Sequence, residues 1–217
     1  MKLKSMLTMM HIGLPGGINS ISFTLSQAVV TPLIAFFGTA VVAAYGVGIK
    51  VIHVSILISF GFGMGIAPLI GNLLGYGDIQ RAWRTANQSI WINLGITSLL
   101  GSAIFILAPQ IMSVFFKDAG IIEIGIELLR IQAIGLPFIG IWIISENIFL
   151  GAGDNVPPMI VSLVASWGVE IPLILLVTRI LNYDQTSVWW VKVFYSAVGS
   201  LPLIWWLYRG KWIRKRI

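Results

Sequence analysis

The sequence predicts an all-α membrane protein built as a bundle of six transmembrane helices. Of its 217 residues, 57% are hydrophobic and only 10% are charged, whereas soluble domains carry about 25% charged residues. The mean hydropathy is +0.92. The apolar residues also fall into six long runs, each able to cross a hydrocarbon core of ~30 Å as a helix. We therefore expect nearly the whole chain to lie in a lipid bilayer.

Short turns rich in glycine, proline and charged residues separate the six runs, which together form one predicted lobe, residues 1–217. The runs cover residues 12–37, 41–74, 87–108, 124–150, 159–181 and 188–208. Between the third and fourth runs, residues 110–123 are mildly amphipathic and are expected to lie along the membrane interface.

The first run carries a stripe of polar side chains. It is too long for a signal peptide and lacks a clear cleavage site of small residues. The stripe consists of Asn19, Ser20, Ser22, Thr24, Ser26, Gln27 and Thr31. Two interpretations fit it: hydrogen bonding between helices, or the wall of a water-filled cavity. The second interpretation makes Asn19 and Gln27 candidates for a substrate or ion pathway.

Charge patterning predicts the orientation and excludes several classes of function. The leader, the turn at 75–86 and the C-terminal tail hold most of the 14 Lys and Arg residues. The positive-inside rule then places both termini and the loop at 151–157 in the cytoplasm. No soluble basic face is present to bind nucleic acid. The absence of cysteine rules out disulfides and thiolate metal sites, and the two histidines lack acidic partners, so neither a catalytic nor a metal site is expected.

Ionisable residues inside the runs are the main functional candidates, because burying charge in a membrane is costly. Lys50 and Glu170 lie at similar depth, so we expect an ion pair that either supports the structure or takes part in ion coupling. Glu146 has Trp142 beside it, a combination that suits an organic cation; snorkelling of the carboxylate to the interface is the other interpretation. Arg130 is expected to pair with Glu127 on the same helix face.

Two short repeats suggest that the lobe consists of two related triplets of helices. Ile-Gly-Leu-Pro occurs at 12–15 and again at 134–137. The turns at 75–78 and 151–154 share a Gly-X-Gly-Asp pattern. Matches of four residues in so apolar a chain carry little weight.

Longer motifs resemble those of multidrug and toxic compound extrusion (MATE) transporters. They are FGTAVVAAYGVGIKV at 37–51, GMGIAPLIGNLLGYGDIQRA at 63–82, FFKD at 115–118, ELLRIQAIGLPF at 127–138 and LGAGDNVPP at 150–158. They fall in the family's order and spacing over nearly the whole chain. Their details are more similar to the second half of such a transporter than to the first.

The resemblance implies one half of a two-lobed antiporter in the cell membrane. It implies that organic cations, drugs or toxic metabolites leave through a central cavity in exchange for protons or sodium ions, with no other cofactor. A complete family member has about twelve helices. A second six-helix half is therefore expected, either as a separate chain or as a part missing from this one.

The chain also departs from the family's pattern. Many relatives carry a carboxylate in the first helix of this half and another in the fourth. The corresponding positions here are Phe23 and Ile139, and Glu170 stands where relatives carry a basic residue. Two alternatives therefore remain: a lipid-linked oligosaccharide flippase of the same superfamily, which would need a more cationic cavity, and an inactive half that acts only in assembly.

Overall fold

The computed structural model describes residues 3–181 and 183–214, with side chains from residue 13 to residue 213. Its six long helices are α1 (Leu3–Ala35), α2 (Thr39–Gly75), α3 (Ile79–Phe115), α4 (Ala119–Gly151), α5 (Val156–Ile180) and α6 (Gln185–Tyr208). A 3₁₀ turn at Lys211–Arg214 follows. Each long helix contains a stretch apolar and long enough to cross a membrane. No strand occurs in the described ranges, so the predicted all-α, six-helix class is confirmed.

The helices alternate in direction across the bundle. Turns 76–78 and 152–155 and the end of α6 lie at one end, which we call the Asp78 end. Turns 36–38 and 116–118, residue 181 and residues 183–184 lie at the other, the Asp118 end. Contacts agree with this alternation: position 101 on α3 packs against Ala133 of α4, while position 125 on α4 packs against Met112 of α3.

Residues 110–123 do not form a segment of their own, because they are divided between the end of α3 and the start of α4. Helix α3 begins directly after Asp78, whose carboxylate accepts a hydrogen bond from the Arg81 N–H at 3.1 Å, and continues past Pro109 to Phe115. Asp118 then caps α4 in the same way, through the Ile121 N–H at 3.0 Å. Proline inside a membrane helix is tolerated because neighbouring groups satisfy the freed carbonyl, so Pro109 does not end α3.

Helix α4 forms the centre of the bundle and packs against α2, α3 and α6. Glycines let it approach its neighbours closely, as is common in membrane helices. A Cβ at Gly151 would clash with the Ala67 carbonyl on α2. A Cβ at Gly140 would lie 2.5 Å from the Thr97 methyl on α3. The helices can therefore lie this close at these two points only because glycine has no side chain.

The two Gly-X-Gly-Asp turns share one backbone conformation. Gly77 and Gly153 have φ values of 77° and 69°, in the left-handed region that glycine adopts readily. The Asp78 N–H bonds to the Leu73 carbonyl, and the Asp154 N–H bonds to the Phe149 carbonyl, both at 2.9 Å. This is the Schellman pattern of helix termination. The repeated sequence thus closes α2 and α4 in the same way.

Helix α1 packs mainly against α5 and makes fewer contacts with α2. Helix α5 contains two π-helical stretches, Val164–Glu170 and Leu176–Ile180. Such stretches are uncommon and occur often at functional sites. Between α1, α2 and α4 this arrangement leaves a cleft near the Asp78 end.

Candidate cation site

The cleft contains a carboxylate, Glu146 of α4, held by two neutral donors. Trp142 Nε1 donates to Glu146 Oε1 at 2.9 Å, and Asn19 Nδ2 of α1 donates to the same oxygen at 3.1 Å. Trp142 lies one turn before Glu146 on α4 and packs on Gly199 and the ring of Tyr195. Hydrogen bonds to an ionised acceptor are stronger than those between neutral groups. Both donors thus orient the carboxylate without neutralising it.

The cleft has a volume of about 180 Å³. Its lining consists of Gly16, Asn19, Ser20, Phe60, Glu146, Asn147, Leu150, Asn155 and Pro158. None of these residues is basic, and no salt bridge in the described part of the chain involves Glu146. The cleft therefore combines one carboxyl group with amide and hydroxyl groups and an aromatic wall, a composition that suits a cation.

A second carboxylate, which is fully buried, lies deeper in the bundle and is paired. Glu170 of α5 is 0% exposed, and its Oε1 lies 3.2 Å from Lys192 Nζ of α6, which is 8% exposed. From α1, Ser26 Oγ donates to Glu170 Oε2 at 3.4 Å, and Gln27 Oε1 accepts from Lys192 Nζ at 3.5 Å. This ion pair joins α1, α5 and α6.

Tyr195 of α6 connects the surroundings of the two carboxylates. Its ring centroid lies 5.1 Å from that of Trp142, and its hydroxyl lies 3.4 Å from Ser166 Oγ. Ser166 is one turn before Glu170, in the π-helical part of α5. A line of polar and aromatic side chains therefore runs from the Glu146 cleft to the Glu170 pair.

The six residues selected from sequence fall into three places. Asn19 and Glu146 line the cleft, and the buried Trp142 bonds to Glu146. Gln27 and Glu170 meet around Lys192. Lys50 is exposed on α2, away from both groups.

The predicted pairing of Lys50 with Glu170 is wrong, because Glu170 pairs with Lys192. Equal depth in the membrane does not by itself bring two side chains together. Lys50 lies on α2, which packs against α3 and α4, whereas Glu170 lies on α5, which packs against α1 and α6. The predicted pairing of Arg130 with Glu127 is also wrong, since no such bridge occurs in the described ranges. Arg130 lies over the Phe105 ring instead, 5.4 Å from its centroid.

The polar stripe of α1 has a buried side and an exposed side, and the buried side confirms the interpretation of hydrogen bonding between helices. Ser22 and Ser26 are buried and bond to Trp167 and Glu170 of α5. The exposed members, Ser20, Thr24 and Thr31, donate to carbonyls one turn earlier on α1. One side of the stripe therefore bonds to neighbouring helices, and the other side is open.

Sequence reasoning did not select Lys192 or Tyr195. Lys192 shares a helix face with Val188 and Ser196, which are both buried. The small and apolar neighbours on that face were the signal that could have identified Lys192 as buried. No group of three or more His, Asp or Glu residues in the described ranges lies close enough to hold a metal ion.

Comparison with known proteins establishes the family. The model of the MatE family matches residues 15–176. The chain belongs to this family. Similar proteins include the probable multidrug resistance protein YoeA of Bacillus subtilis, 26% identical over 96% of this chain and 45% of the relative. The probable multidrug resistance protein NorM of Thermotoga maritima is 22% identical, over 100% of this chain and 47% of the relative.

The fold is likewise that of MATE transporters. The crystal structure of the Vibrio cholerae MATE transporter VcmN in its bent form superposes with a TM-score of 0.87 at 21% identity. That alignment covers 99% of this chain and 48% of VcmN. The chain spans about half the length of the relatives it matches. It thus corresponds to one lobe of a two-lobed transporter fold, and it is a multi-pass membrane protein of the MatE family.

Proposed function

We propose that this chain is one half of a secondary antiporter that exports organic cations in exchange for protons or sodium ions, with Glu146 as the cation-binding carboxylate. The observation that carries the proposal is the geometry of Glu146: two neutral donors orient it, no basic residue lines its cleft, and the ring of Trp142 lies beside it. A coupling ion and an organic cation would compete for the same negative charge.

The size of the cleft supports a two-lobed arrangement. Sites that enclose drug-sized molecules measure about 300–1,000 Å³, whereas this cleft measures about 180 Å³. We therefore propose that a second six-helix half faces α1 and α2 and supplies the opposite wall. The lining favours a cation over the pyrophosphate of a lipid-linked sugar, because a pyrophosphate would need basic side chains in the cleft.

Replacing the carboxylate tests the proposal directly. In cells that express the transporter with its second half, Glu146→Gln should abolish export of a fluorescent organic cation such as ethidium. Glu123→Gln is the matched control, since Glu123 lies on the same helix but is exposed at the Asp118 end. Export should then be measured with a sodium gradient at constant pH and with a pH gradient without sodium, which identifies the coupling ion. Undiminished export by Glu146→Gln at equal abundance would refute the assignment.

A further inference from the structure

The surroundings of Lys192 resemble a coordination cage for a small cation. Its ammonium lies 3.2 Å from a carboxylate oxygen of Glu170 and 3.5 Å from the amide oxygen of Gln27. The Ser26 hydroxyl bonds to the second carboxylate oxygen. On the remaining side, the Tyr45 ring centroid lies 5.7 Å from Nζ. The cage thus presents oxygens from two helices and the face of an aromatic ring.

These groups match what a hard monovalent cation binds. Alkali and alkaline-earth ions prefer carboxylate, carbonyl and hydroxyl oxygens, and aromatic faces attract cations. A lysine ammonium is a compact point charge that donates to the same oxygens. The ammonium therefore occupies the place that a bound ion would take, tethered to α6 by its own side chain.

The cage is held rigidly by its neighbours. Tyr45 stacks on Trp189 with 5.5 Å between the ring centroids and 6° between the ring planes. Trp189 precedes Lys192 by about one turn on α6. The π-helical stretch of α5 places both Ser166 and Glu170 on its buried side. The oxygens and the ring would thus keep their positions if the ammonium were removed.

We propose that Lys192 is the permanent occupant of a monovalent-cation site formed by Glu170, Gln27, Ser26 and Tyr45. In this arrangement α1, α5 and α6 stay bound together without any ion from solution. The two carboxylates then differ in one respect: Glu170 carries its own cation, whereas Glu146, under the proposed function, exchanges its cation with the solution. Glu170 therefore takes no part in ion exchange unless Lys192 is removed. The inference about the cage does not depend on the substrate that the transporter exports.

The alternative is that Glu170 and Lys192 form only a structural pair. Removing one partner of a buried pair is strongly destabilising, because it leaves an uncompensated charge. Both interpretations predict that loss of Lys192 lowers stability. They differ in whether an alkali-metal ion restores it.

The experiment removes the ammonium and offers ions in its place. Thermal unfolding is followed for the purified transporter in lipid nanodiscs, in the chloride salts of lithium, sodium, potassium and choline at equal ionic strength. All variants carry Glu146→Gln, so that ions bound in the cleft do not contribute. The variants compared are Glu146→Gln alone, the same with Lys192→Ala, and the same with both Lys192→Ala and Glu170→Gln.

We expect that Lys192→Ala lowers Tm in choline and that sodium or potassium raises it again, saturably, by roughly 2–4 °C or more. The variant with Lys192 intact and the variant lacking both charges should show no ion-specific shift. If the alanine variant is poorly produced, Lys192→Gln can replace it. Glutamine is uncharged but can still donate to Glu170, and this variant should show the same ion dependence.

Two results would overturn the proposal. One is a Lys192→Ala or Lys192→Gln variant that folds but has the same Tm in all four salts. The other is an equal ion-specific shift in the variant that retains Lys192, because the ion would then bind elsewhere. Failure to recover either variant in any of the salts would also count against it, since the proposal requires an alkali ion to replace the ammonium.

Discussion

At the scale of single residues, Glu146 and Glu170 differ in the partners that surround each carboxylate. Glu170 has a cationic partner at 3.2 Å, whereas the bonds to Glu146 come from an indole and an amide. A carboxylate without a basic partner is costly to ionise in a membrane unless a cation binds to it. The function is therefore proposed at Glu146.

The indole N–H of Trp142 provides a residue-scale prediction. Trp142→Phe keeps an aromatic ring against Gly199 but removes the bond to Glu146. A hydrogen bond to a charged group contributes about 1.5–3 kcal/mol, which corresponds to a roughly ten- to hundredfold loss in affinity. We expect the concentration of organic cation that gives half-maximal export to rise accordingly.

Trp167→Phe is the matched control for this change. It also removes an indole N–H, but that group donates to a neutral hydroxyl, Ser22 Oγ, at 2.8 Å. Its effect on the half-maximal concentration should be much smaller. Equal effects of the two substitutions would show that Trp142 acts through packing alone, not through its bond to the carboxylate.

Residue types were predictable from the sequence, but residue partners were not. Glu146 with Trp142 was recognisable because the two lie one helical turn apart. The bond from Asn19 and the pair of Glu170 with Lys192 join residues more than 20 positions apart, on different helices. Such contacts depend on which helices are neighbours, and hydropathy and charge counting do not contain that information.

At the scale of helices, α4 determines the arrangement of the others. It is the most buried span of the six, and close contacts at Gly151 and Gly140 fix its distance from α2 and α3. The sequence did not predict that α3 would continue through Pro109, because proline is a strong stop signal in soluble helices and a weak one in lipid.

The contact between α2 and α4 gives a prediction at this scale. Gly151→Ala should destabilise the bundle by about 1–3 kcal/mol, the usual cost of overpacking, because the added Cβ meets backbone atoms of α2. The matched control is Gly65→Ala, where no atom lies within 4 Å of an added Cβ. The measurement is the unfolding temperature of the purified variants. A Gly151→Ala protein as stable as the control would contradict the packing described here.

At the scale of the whole molecule, orientation in the membrane remains a prediction from charge. The structure places Gln80 at the Asp78 end and Asp184 at the Asp118 end, and both residues are exposed. Because the chain lacks cysteine, single substitutions Gln80→Cys and Asp184→Cys can be labelled without background. A membrane-impermeant maleimide applied to intact cells should label position 184 and should reach position 80 only after the membrane is opened. Labelling of both from outside would contradict the predicted orientation.

The proposed second half gives the last prediction, which concerns the face that α1 presents. Helix α1 has polar residues on an exposed side, among them Thr24, and the cleft opens between it and α2. Serine and threonine are enriched where membrane helices meet one another, so we expect this side to face the second half or a water-filled cavity. Leu99 on α3 is 72% exposed and apolar, as expected for a lipid-facing residue.

A benzophenone attached at Thr24→Cys in native membranes should therefore capture a six-helix protein segment, and one attached at Leu99→Cys should capture lipid. Mass spectrometry of the adducts distinguishes the two, and capture of lipid alone from position 24 would refute a second half on this face.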